Sequence, residues 1–575
     1  MIRKMIRGNK IKNKNLFVEP DEIFLDSKNL QNFDRQQFEG RIEKPIPKKT
    51  IFFTGILFVI FAGIFGIRLI YLQVQKGEAY FKRSQNNVLE KAIIFADRGI
   101  IYDRNKIELA WNKKGDLGAE LPNGNSTLPI RAYLLAGFSH LLGYVSYPTQ
   151  DKEGNFWQGE FVGKDGLEKK YNDKLKGENG SIIIETDALG KIYSENIVNT
   201  PKQGADLITT IDARIQKELF FLIKNLSENK SFMGGAGVVM DARNGEIIVS
   251  TSFPEYNSEI LSLGKDTEKI NGYLTDKRKF FLDRDISGLY TPGSIVKPFF
   301  ALGALNEGVI DPSKKILSTG SISIPNPYFS DQKTVFKDWR VNGWTNMAEA
   351  LAVSSDIYFY EIGGGFEEQK GLGIVNIGKY AKLFGFGEKT GIDLPDEKEG
   401  IIPSPEWKMI NFKGDPWRIG DTYHTAIGQY GFQVTPMEMV RAVGAIANSG
   451  KLLTPHLILG DIETENKFSV SNLKKEYFNV IHEGMRGAVT YGTAAMLNVP
   501  YVQVAAKTGT AQLGVKKNKV NSWIVGFFPY QNPKYAFAVM MESGPSSNSV
   551  GASSIVRELL DWMSIYTPEY FKTSP

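Results

Sequence analysis

The most restrictive feature of the chain is an apolar run near its N-terminus. Residues 51–67 are uncharged at all seventeen positions, Arg68 interrupts the run, and residues 69–74 continue it. About twenty apolar residues cross a bilayer as a helix, and this run has no amphipathic face that would suit a soluble core helix. It also starts too late for a secretory signal and lacks a small-residue cleavage site. Residues 51–74 therefore predict one uncleaved transmembrane signal anchor.

Charge at the front edge of this anchor predicts its orientation. Lys48 and Lys49 immediately precede the apolar run, and positive charge is enriched on the cytoplasmic side of membrane helices. We expect residues 1–50 to be a cytoplasmic tail. We expect everything after residue 74 to lie on the periplasmic, extracytoplasmic side of the plasma (inner) membrane.

The balance of charge argues against a nucleic-acid-binding body. The first fifty residues contain twelve Lys and Arg against seven Asp and Glu, a surplus of five, and the whole chain also carries +5. The remaining residues are therefore close to neutral, whereas nucleic-acid-binding domains are usually basic. The chain has no Cys and only four His, spread far apart. A thiolate metal site, a Cys nucleophile and a zinc site are not expected, and we predict no metal and no cofactor.

Length and composition indicate several globular parts. The chain has 575 residues, 42% of them hydrophobic and 23% charged, which is enough for an ample core in more than one domain. Residues 75–228 show short mixed elements, with strand patterns at 93–101 and 181–186. A helix capped by Asp212 follows them. We interpret this region as a mixed α/β spacer, or pedestal, without a catalytic constellation.

The last domain is predicted over residues 229–575. Two hairpins, at residues 238–249 and 523–541, lie at its two ends, and helical patterns such as 347–360 and 436–448 lie between them. Strands from both ends with helices between them predict an α/β fold (α+β layers). Its expected core is one central antiparallel sheet, closed by the ends of the domain and flanked by helices.

A candidate nucleophile stands at the start of a predicted helix in this domain. The Pro292-Gly293 pair breaks the preceding segment and an apolar run follows Lys297, so Ser294 is predicted to open a helix. Residues three apart share a helix face, which would bring the Lys297 amine beside the Ser294 hydroxyl. A neutral lysine can act as the base that activates a serine, and free N–H groups at the helix start can hold an oxyanion.

The S-x-x-K pattern alone is weak, because it recurs four times in the chain. The other copies are Ser227–Lys230, Ser262–Lys265, Ser330–Lys333 and Ser471–Lys474. Two further motifs distinguish the copy at Ser294. They are Ser354-Ser355-Asp356, sixty residues after Ser294, and Lys507-Thr508-Gly509-Thr510, 153 residues after Ser354.

Local pattern also separates two copies of the K-T-G motif. The copy at Lys389 follows a glycine-broken loop with no strand to present it. The copy at Lys507 follows an alternating pattern at Val502, Val504 and Ala506, which predicts a strand that ends at Gly509. A glycine there would let a ligand approach the strand edge closely, and an extended peptide could add to that edge. We therefore assign the K-T-G motif of the site to the copy at Lys507 and not to the copy at Lys389.

The three motifs, in this order and spacing, resemble those of penicillin-binding proteins and serine β-lactamases. The resemblance extends from about Arg68 to the C-terminus and is greatest to class B (monofunctional) penicillin-binding proteins. Within that class, Ser-Ser-Asp followed by Tyr-Phe-Tyr is most similar to the elongation-type penicillin-binding protein 2 subgroup. Further shared segments are Arg98–Arg104, Gly166–Glu168, Thr209–Asp212, Gly420–Thr422, Ile427–Gln429, Thr435-Pro436 and Ala447–Gly450.

The resemblance implies a peptidoglycan D,D-transpeptidase that is a target of β-lactams. Ser294 would attack the D-Ala-D-Ala carbonyl of a stem peptide, Lys297 would take its proton, and Ser354 would shuttle that proton toward the leaving amine. The resemblance also implies that Lys507 is a catalytic residue. The substrate-binding residues that it implies are Asp356, Thr508, Gly509 and Thr510. The backbone N–H groups of Ser294 and Thr510 would form the oxyanion hole. Implied partners are stem peptides, β-lactams, the membrane, a membrane-embedded glycan polymerase and other elongation proteins.

The sequence departs from the family in three places, one of which is Gln429-Tyr430-Gly431, where Gln-Gly-x is more usual. A sizeable head subdomain is usual in the pedestal, but only residues 112–129 are available for it here, so we expect a shortened head. The Gly-His-Gly that is common before the second motif reads Gly343-Trp344-Thr345. Some relatives hold a zinc ion near there; this segment has neither Cys nor His, and we do not transfer the site.

Several alternatives share these motifs. A β-lactamase must also hydrolyse its acyl-enzyme and does not need an anchor and a spacer, and a D,D-carboxypeptidase is usually shorter and anchored at its C-terminus. A septal class B transpeptidase and a non-catalytic penicillin-binding scaffold or sensor are the remaining alternatives. Covalent labelling by penicillin and the turnover of the acyl-enzyme distinguish these classes.

Overall fold

The computed structural model describes residues 47–81, 89–113, 129–150, 156–186, 192–326, 329, 331–460, 468–469 and 473–572. The chain divides into two units, residues 1–88 and residues 89–575. Most of the predicted cytoplasmic tail (residues 1–46) and most of the predicted short head (residues 114–128) lie outside the described residues.

The apolar run of the first unit forms one long helix. Helix α1 (Lys48–Ile70) continues as a π-helical turn, Tyr71–Gln75, and none of the residues of either segment is buried. At about 1.5 Å per residue its 23 residues extend roughly 35 Å, enough for a hydrocarbon core of about 30 Å. The prediction of one apolar helix long enough to span a membrane is confirmed.

The second unit contains all the strands of the described residues. They are β1 (Leu89–Ile94), β2 (Ile101–Tyr102), β3 (Glu108–Lys113), β4 (Ile130–Tyr133), β5 (Val145–Ser146), β6 (Thr149–Gln150), β7 (Phe156–Gln158), β8 (Val162–Gly163), β9 (Gly180–Thr186), β10 (Ile192–Asn199), β11 (Leu207–Ile208), β12 (Gly234–Asp241), β13 (Ile247–Phe253), β14 (Ile316–Ser318), β15 (Ser321–Pro325), β16 (Lys333–Lys337), β17 (Gly343–Thr345), β18 (Lys451–Leu452), β19 (Phe468–Ser469), β20 (Ala505–Leu513), β21 (Lys519–Phe528) and β22 (Tyr535–Pro545).

Its α-helices lie mostly between β13 and β20. They are α2 (Ser139–Leu142), α3 (Gly166–Lys170), α4 (Asn172–Leu175), α5 (Ala213–Lys230), α6 (Ser258–Leu263), α7 (Thr267–Thr275), α8 (Lys297–Asn306), α9 (Met347–Val353), α10 (Asp356–Gly364), α11 (Gly373–Leu383), α12 (Pro405–Asn411), α13 (Ile419–Ala426), α14 (Pro436–Ala447), α15 (Lys475–Thr490) and α16 (Ala552–Tyr566).

The described part of the predicted pedestal contains a three-stranded sheet, β1-β9-β10, a four-stranded sheet, β11-β2-β3-β4, and two strand pairs, β5-β8 and β6-β7. The predicted strand at 181–186 is confirmed as β9. The strand predicted over 93–101 is wrong in extent, because β1 ends at Ile94 and β2 starts at Ile101. Between them Arg98 turns inward, and its Nε donates to Glu168. An irregular segment is needed there to deliver that side chain into the core.

The buried carboxylate of Glu168 joins two of the shared sequence segments. It pairs with Arg98 and, at 2.7 Å, with Arg131 Nε. Burial alone would raise the pKa of Glu168, but the two guanidiniums hold it below its usual value. Removing one member of such a buried set leaves a charge without compensation, which costs about 3–5 kcal/mol. The triad therefore fixes the centre of the pedestal.

A five-stranded antiparallel sheet forms the centre of the last domain, in the order β13-β12-β22-β21-β20. Both predicted hairpins are present, as β12–β13 and β21–β22. Strand β12, from the start of the domain, pairs with β22, from its end, with Val238 opposite Ala538. The predicted closure of the sheet by the ends of the domain is confirmed.

Alternate residues of the sheet enter two separate cores. Val238 and Met240 pack with α8, α9 and α14 on one face, whereas Val239 packs with α5 and α16 on the other. This alternation follows from the period of two in a strand. The result is the predicted arrangement of helices on both faces of one sheet. Packing also continues across the predicted domain boundary at residues 228 and 229, because α5 belongs to the second core; that boundary stays a prediction.

Two helix predictions have different outcomes. The helix predicted at 436–448 is confirmed as α14. The helix predicted over 347–360 is instead two helices, because Ser354 adopts a left-handed conformation with φ of 59° and ends α9. Ser355 then caps α10 by accepting from Tyr358 N. This break turns the Ser-Ser-Asp motif into a corner between two helices.

Candidate active site

Ser294 lies in a tight turn that precedes a buried helix. Residues Gly293–Val296 form a 3-10 turn, which we call the nucleophile turn. Helix α8 begins at Lys297, one turn later than the sequence predicts. Gly293 has φ of 61°, a conformation that glycine adopts without strain. Its N–H donates to the carbonyl of Gly428 at 2.9 Å. The turn holds Ser294, which is half-buried, on the wall of a cleft of about 660 Å³.

Lys297 lies beneath this cleft, fully buried. Its Nζ donates to Asp356 Oδ1 at 2.6 Å and to the carbonyl oxygen of Ser354 at 2.9 Å. A longer contact of 3.5 Å reaches Ser354 Oγ. Among the described residues no hydrogen bond joins Lys297 to Ser294, although the sequence predicts that contact. The difference has a physical cause: an ammonium has three donors, and the Asp356 carboxylate and the backbone carbonyls beside it satisfy them.

Lys507 approaches the same serine from the sheet. Its Nζ donates to Ser354 Oγ at 2.7 Å and to the carbonyl oxygen of Thr508 at 3.0 Å. Burial holds the pKa of Lys507 well below its usual value, the charge of Lys297 lowers it further, and Asp356 opposes both. The hydroxyl of Ser354 therefore stands between two lysine amines, where a proton can pass through it.

The third motif lies on β20, the edge strand of the sheet. Thr508, Gly509 and Thr510 line the cleft together with Ser294, Ser354 and Asp356. The strand does not end at Gly509 as predicted, because its pairing with β21 continues to Leu513. The structural reason for a glycine at position 509 also differs from the predicted one, which was the close approach of a ligand. A Cβ at Gly509 would lie 2.8 Å from both the Pro292 carbonyl oxygen and Ile295 Cγ2, so the missing side chain admits the nucleophile turn.

Three further residues of the cleft were not identified from the sequence. Thr493 Oγ1 accepts a hydrogen bond of 2.6 Å from Thr508 Oγ1. Trp523 Nε1 donates to the carbonyl of Thr291, next to the nucleophile turn, at 3.1 Å. Trp339 also lines the cleft. Trp523 belongs to a predicted strand whose alternation could have placed it on this face, but Thr493 and Trp339 lie in segments without regular secondary structure and have no such periodic signal.

The other described copies of the motifs take part in hydrogen bonds that support the fold. The discarded Lys389-Thr390-Gly391 is a loop that wraps the carboxylate of Glu397, which accepts from the Thr390 and Gly391 N–H groups. Ser262 Oγ accepts from Val145 N, and Ser227 Oγ donates to the carbonyl of Phe232. Ser330 and Ser471 lie outside the described residues. Among the residues that are described, no group of three or more His, Asp or Glu is arranged to hold a metal ion.

Family comparisons agree with the motifs. Residues 235–561 match the penicillin binding protein transpeptidase domain, and residues 124–209 match the penicillin-binding protein dimerisation domain. The first match covers more than half of the chain and includes all three motifs of the cleft. The second falls within the predicted pedestal.

Similar proteins are named peptidoglycan D,D-transpeptidase MrdA. The one from Acinetobacter baumannii is 31% identical over 74% of this chain, and the match spans 64% of that relative's length. The one from Haemophilus influenzae is 30% identical over 74% of this chain and 67% of its own length. The Escherichia coli K12 protein is 27% identical over 90% of this chain and 94% of its own length.

Solved structures of the same kind share the fold. PBP2 of Helicobacter pylori, solved in a complex with MreC, has a TM-score of 0.68 and 29% identity, covering 84% of this chain and 100% of that one. PBP2 of Pseudomonas aeruginosa, solved in complex with WCK 5153, has a TM-score of 0.65 and 27% identity, covering 84% of this chain and 98% of that one. This chain therefore belongs to the penicillin-binding protein transpeptidases, as a class B member of the elongation type.

Proposed function

We propose that the protein is a serine-type peptidoglycan D,D-transpeptidase that cross-links stem peptides during cell elongation and is acylated by β-lactams. One observation carries the proposal. Ser294, Ser354 and residues Thr508–Thr510 line a single cleft, and the amines of Lys297 and Lys507 are buried beneath it. A hydrolase or transferase that works through an acyl-enzyme needs this combination of nucleophile, proton route and fixed donors.

The first half-reaction forms an ester at Ser294. Its Oγ attacks the carbonyl carbon between the two D-alanines, and its proton passes to Lys297 Nζ in the form where that amine is uncharged. Ser354 Oγ, within 3.5 Å of Lys297 Nζ and 2.7 Å of Lys507 Nζ, relays a proton to the leaving amine. The C–N bond breaks and D-alanine leaves. The charged Lys297 that pairs with Asp356 in this structure is the form that follows this transfer, because a protonated amine cannot take the serine proton.

The second half-reaction returns the serine. The amine of a neighbouring stem peptide attacks the ester carbonyl and loses a proton through the same relay. Ser294 Oγ takes up a proton as the ester bond breaks, so the enzyme is unchanged at the end. The product is a new amide bond between two stem peptides.

Hydroxyl and backbone donors in the cleft suit the substrate. Thr508 and Thr510 line the cleft, and their hydroxyls can donate to the terminal carboxylate of a stem peptide. We assign the holding of that carboxylate to Thr508, Thr510 and Lys507. The N–H groups of Ser294 and Thr510 are proposed as the oxyanion hole, where one donor is worth roughly 3 kcal/mol of barrier.

Elongation is the cellular role that the relatives support, and the septal alternative is not favoured. The H. pylori PBP2 was solved with MreC, and we propose that this chain likewise binds an MreC-type protein and a membrane-embedded glycan polymerase. We also propose that α1 crosses the plasma membrane once, with Lys48 and Lys49 on the cytoplasmic side. The cleft then lies outside the cytoplasm, on a pedestal predicted over residues 75–228, with the transpeptidase domain over 229–575.

Turnover of a stem peptide tests this function. The full chain in detergent, given a donor pentapeptide, is expected to release D-alanine and to form a cross-linked product when an acceptor amine is added. Lys297→Ala should lose both products. Because it leaves the Asp356 carboxylate without its ion-pair partner, its melting temperature should fall, and its activity is compared with the parent at equal folded fraction. The matched control is Ser262→Ala, which alters another S-x-x-K serine, remote from the cleft, and should keep both.

Three results would contradict the proposal. Rapid release of hydrolysed penicillin identifies a β-lactamase. Release of D-alanine with water as the only acceptor identifies a carboxypeptidase. Penicillin binding without release of D-alanine identifies a scaffold or sensor.

A further inference from the structure

The loop before α9 contains a carboxylate that belongs to none of the three motifs. Asp338 is half-buried, and its Oδ2 accepts from Ser355 Oγ at 2.8 Å and from Ile357 N at 3.3 Å. Its Oδ1 accepts from Asp356 N at 3.1 Å. These three donors belong to consecutive residues at the start of α10. One side chain therefore holds the first turn of the helix that carries the second motif.

The carboxylate is itself fixed from the opposite side. Ser318 Oγ and Asn342 Nδ2 donate to Asp338 Oδ2 at 2.9 Å and 3.1 Å, and the N–H of Trp339 donates to Oδ1 at 2.8 Å. Burial would raise the pKa of Asp338, but the donors around it hold that pKa below its usual value. The group stays ionised near neutral pH, and its charge strengthens each of these hydrogen bonds.

Two of the residues that donate to Asp338, Ser355 and Asp356, also accept hydrogen bonds from Lys297 Nζ. The three acceptors nearest to Lys297 Nζ are Asp356 Oδ1 at 2.6 Å, the Ser354 carbonyl at 2.9 Å and the Ser355 carbonyl at 3.3 Å. A shift in the Ser354–Asp356 corner therefore moves all three acceptors together. It also moves Ser354 Oγ, which accepts the hydrogen bond from Lys507 Nζ.

The same loop reaches the wall of the cleft. Trp339 follows Asp338 directly and lines the cleft, and its Nε1 donates to the carbonyl of Val353 at 3.2 Å. The loop and the motif corner are thus joined at two points, one on each side of Ser354. Neither joint involves Ser294, so the nucleophile turn does not depend on this loop for its own fold.

We propose that Asp338 is a positioning residue for acyl transfer, which sets Lys297 and Ser354 by holding the corner between α9 and α10. This inference rests on the proposed acylation at Ser294. Near-attack geometry is sensitive to small displacements, and a misplacement of about 1 Å can cost about a hundredfold in rate. Loss of the Asp338 charge should therefore slow the chemical step more than it weakens binding.

The test separates rate from affinity. Acylation of the full chain by a fluorescent penicillin is followed at several concentrations, which yields the acylation rate constant and the dissociation constant of the complex that precedes it. Asp338→Asn is expected to lower the rate constant about ten- to a hundredfold. Its dissociation constant should change by less than about threefold, because the substrate contacts of Thr508 and Thr510 remain.

Glu438→Gln is the matched control. Glu438 is also a buried carboxylate that accepts backbone N–H groups, from Gly387, Gly400 and Thr435, at 2.8 to 2.9 Å. It lies on α14 and does not line the cleft. A purely structural effect would lower the melting temperature of both variants and leave both rate constants, corrected for the folded fraction, at the parental value.

A second variant keeps the test decisive. Ser355→Ala removes the hydroxyl that donates to Asp338 and that also caps α10 by accepting from Tyr358 N. It is expected to lower the rate constant about tenfold, and the effects of Ser355→Ala and Asp338→Asn combined in one chain should be far from additive. A parental rate constant in Asp338→Asn, or in Ser355→Ala if the first variant does not fold, overturns the inference. If the parent chain itself is not acylated, the proposed function fails instead.

Discussion

At the scale of single residues, the site depends on two buried lysines that share one serine hydroxyl. Lys297 has a carboxylate partner in Asp356, whereas Lys507 has Ser354 Oγ and a carbonyl oxygen. Burying an amine without a carboxylate favours its neutral form. The protein therefore keeps Lys507 at a cost in stability that the chemistry of the cleft requires.

This cost predicts how Lys507→Met affects stability. The folded pKa of Lys507 is well below 10.5, so between the two values the unfolded chain binds more protons, and the stability of the parent rises with pH. The variant lacks this dependence. We expect Lys507→Met to melt a few degrees higher than the parent at pH 7. That gain should shrink as the pH approaches 10, by up to about 1.4 kcal/mol per pH unit.

Thermal melts of both proteins between pH 6 and 10 check the prediction, with penicillin acylation measured in parallel and expected to be lost in the variant. A variant that melts lower than the parent across this range would show that the hydrogen bond to Ser354 outweighs the burial of the amine.

At the scale of elements, the nucleophile turn and the edge strand β20 are in direct contact. The space for a Cβ at Gly509 is occupied by the Pro292 carbonyl and the side chain of Ile295. Only glycine at this register position lets the Ser294 turn lie flat on the strand. The contact holds the turn that carries Ser294 against the strand that carries Thr510.

Gly509→Ala is therefore expected to push the turn away from β20 and to slow acylation at least about tenfold. The fold should survive, because the pairing of β20 with β21 uses backbone groups only. The control is Gly378→Ala on α11, where an added Cβ meets nothing within 4 Å. That change should stabilise the chain by about 0.5–1 kcal/mol and leave acylation unchanged. Equal acylation rates in Gly509→Ala and the parent would contradict this account.

The elements also show what sequence patterns can and cannot predict. Alternation in the strands and turn residues between them predicted both hairpins and the closure of the sheet, because a period of two encodes which face is buried. The break at Ser354 was missed, since both flanking segments are apolar with helical spacing and nothing local marks a left-handed serine. The contact between Lys297 and Asp356 was also missed, because it depends on that break and joins residues 59 positions apart.

At the scale of the whole molecule, the chain combines an apolar helix long enough to span a membrane, a region predicted to be a pedestal, and a transpeptidase domain. Each was predicted from a different signal: the anchor from an uncharged run, the pedestal from short mixed elements, and the catalytic domain from three motifs at fixed spacings. The motifs were informative because they lie on three separate elements, the turn that leads into α8, the α9–α10 corner and β20, which meet at one cleft. Asp338 belongs to no comparable motif, and its role can be inferred only from the hydrogen-bond partners that the fold brings around it.

The site of covalent attachment of penicillin tests the central claim most directly. The full-length chain in detergent is treated with a penicillin, digested, and analysed by mass spectrometry. We predict one stoichiometric penicilloyl ester on the peptide that contains Ser294, and none in Ser294→Ala. An adduct on a different residue, or equal labelling of Ser294→Ala and the parent, would contradict the assignment of Ser294 as the nucleophile.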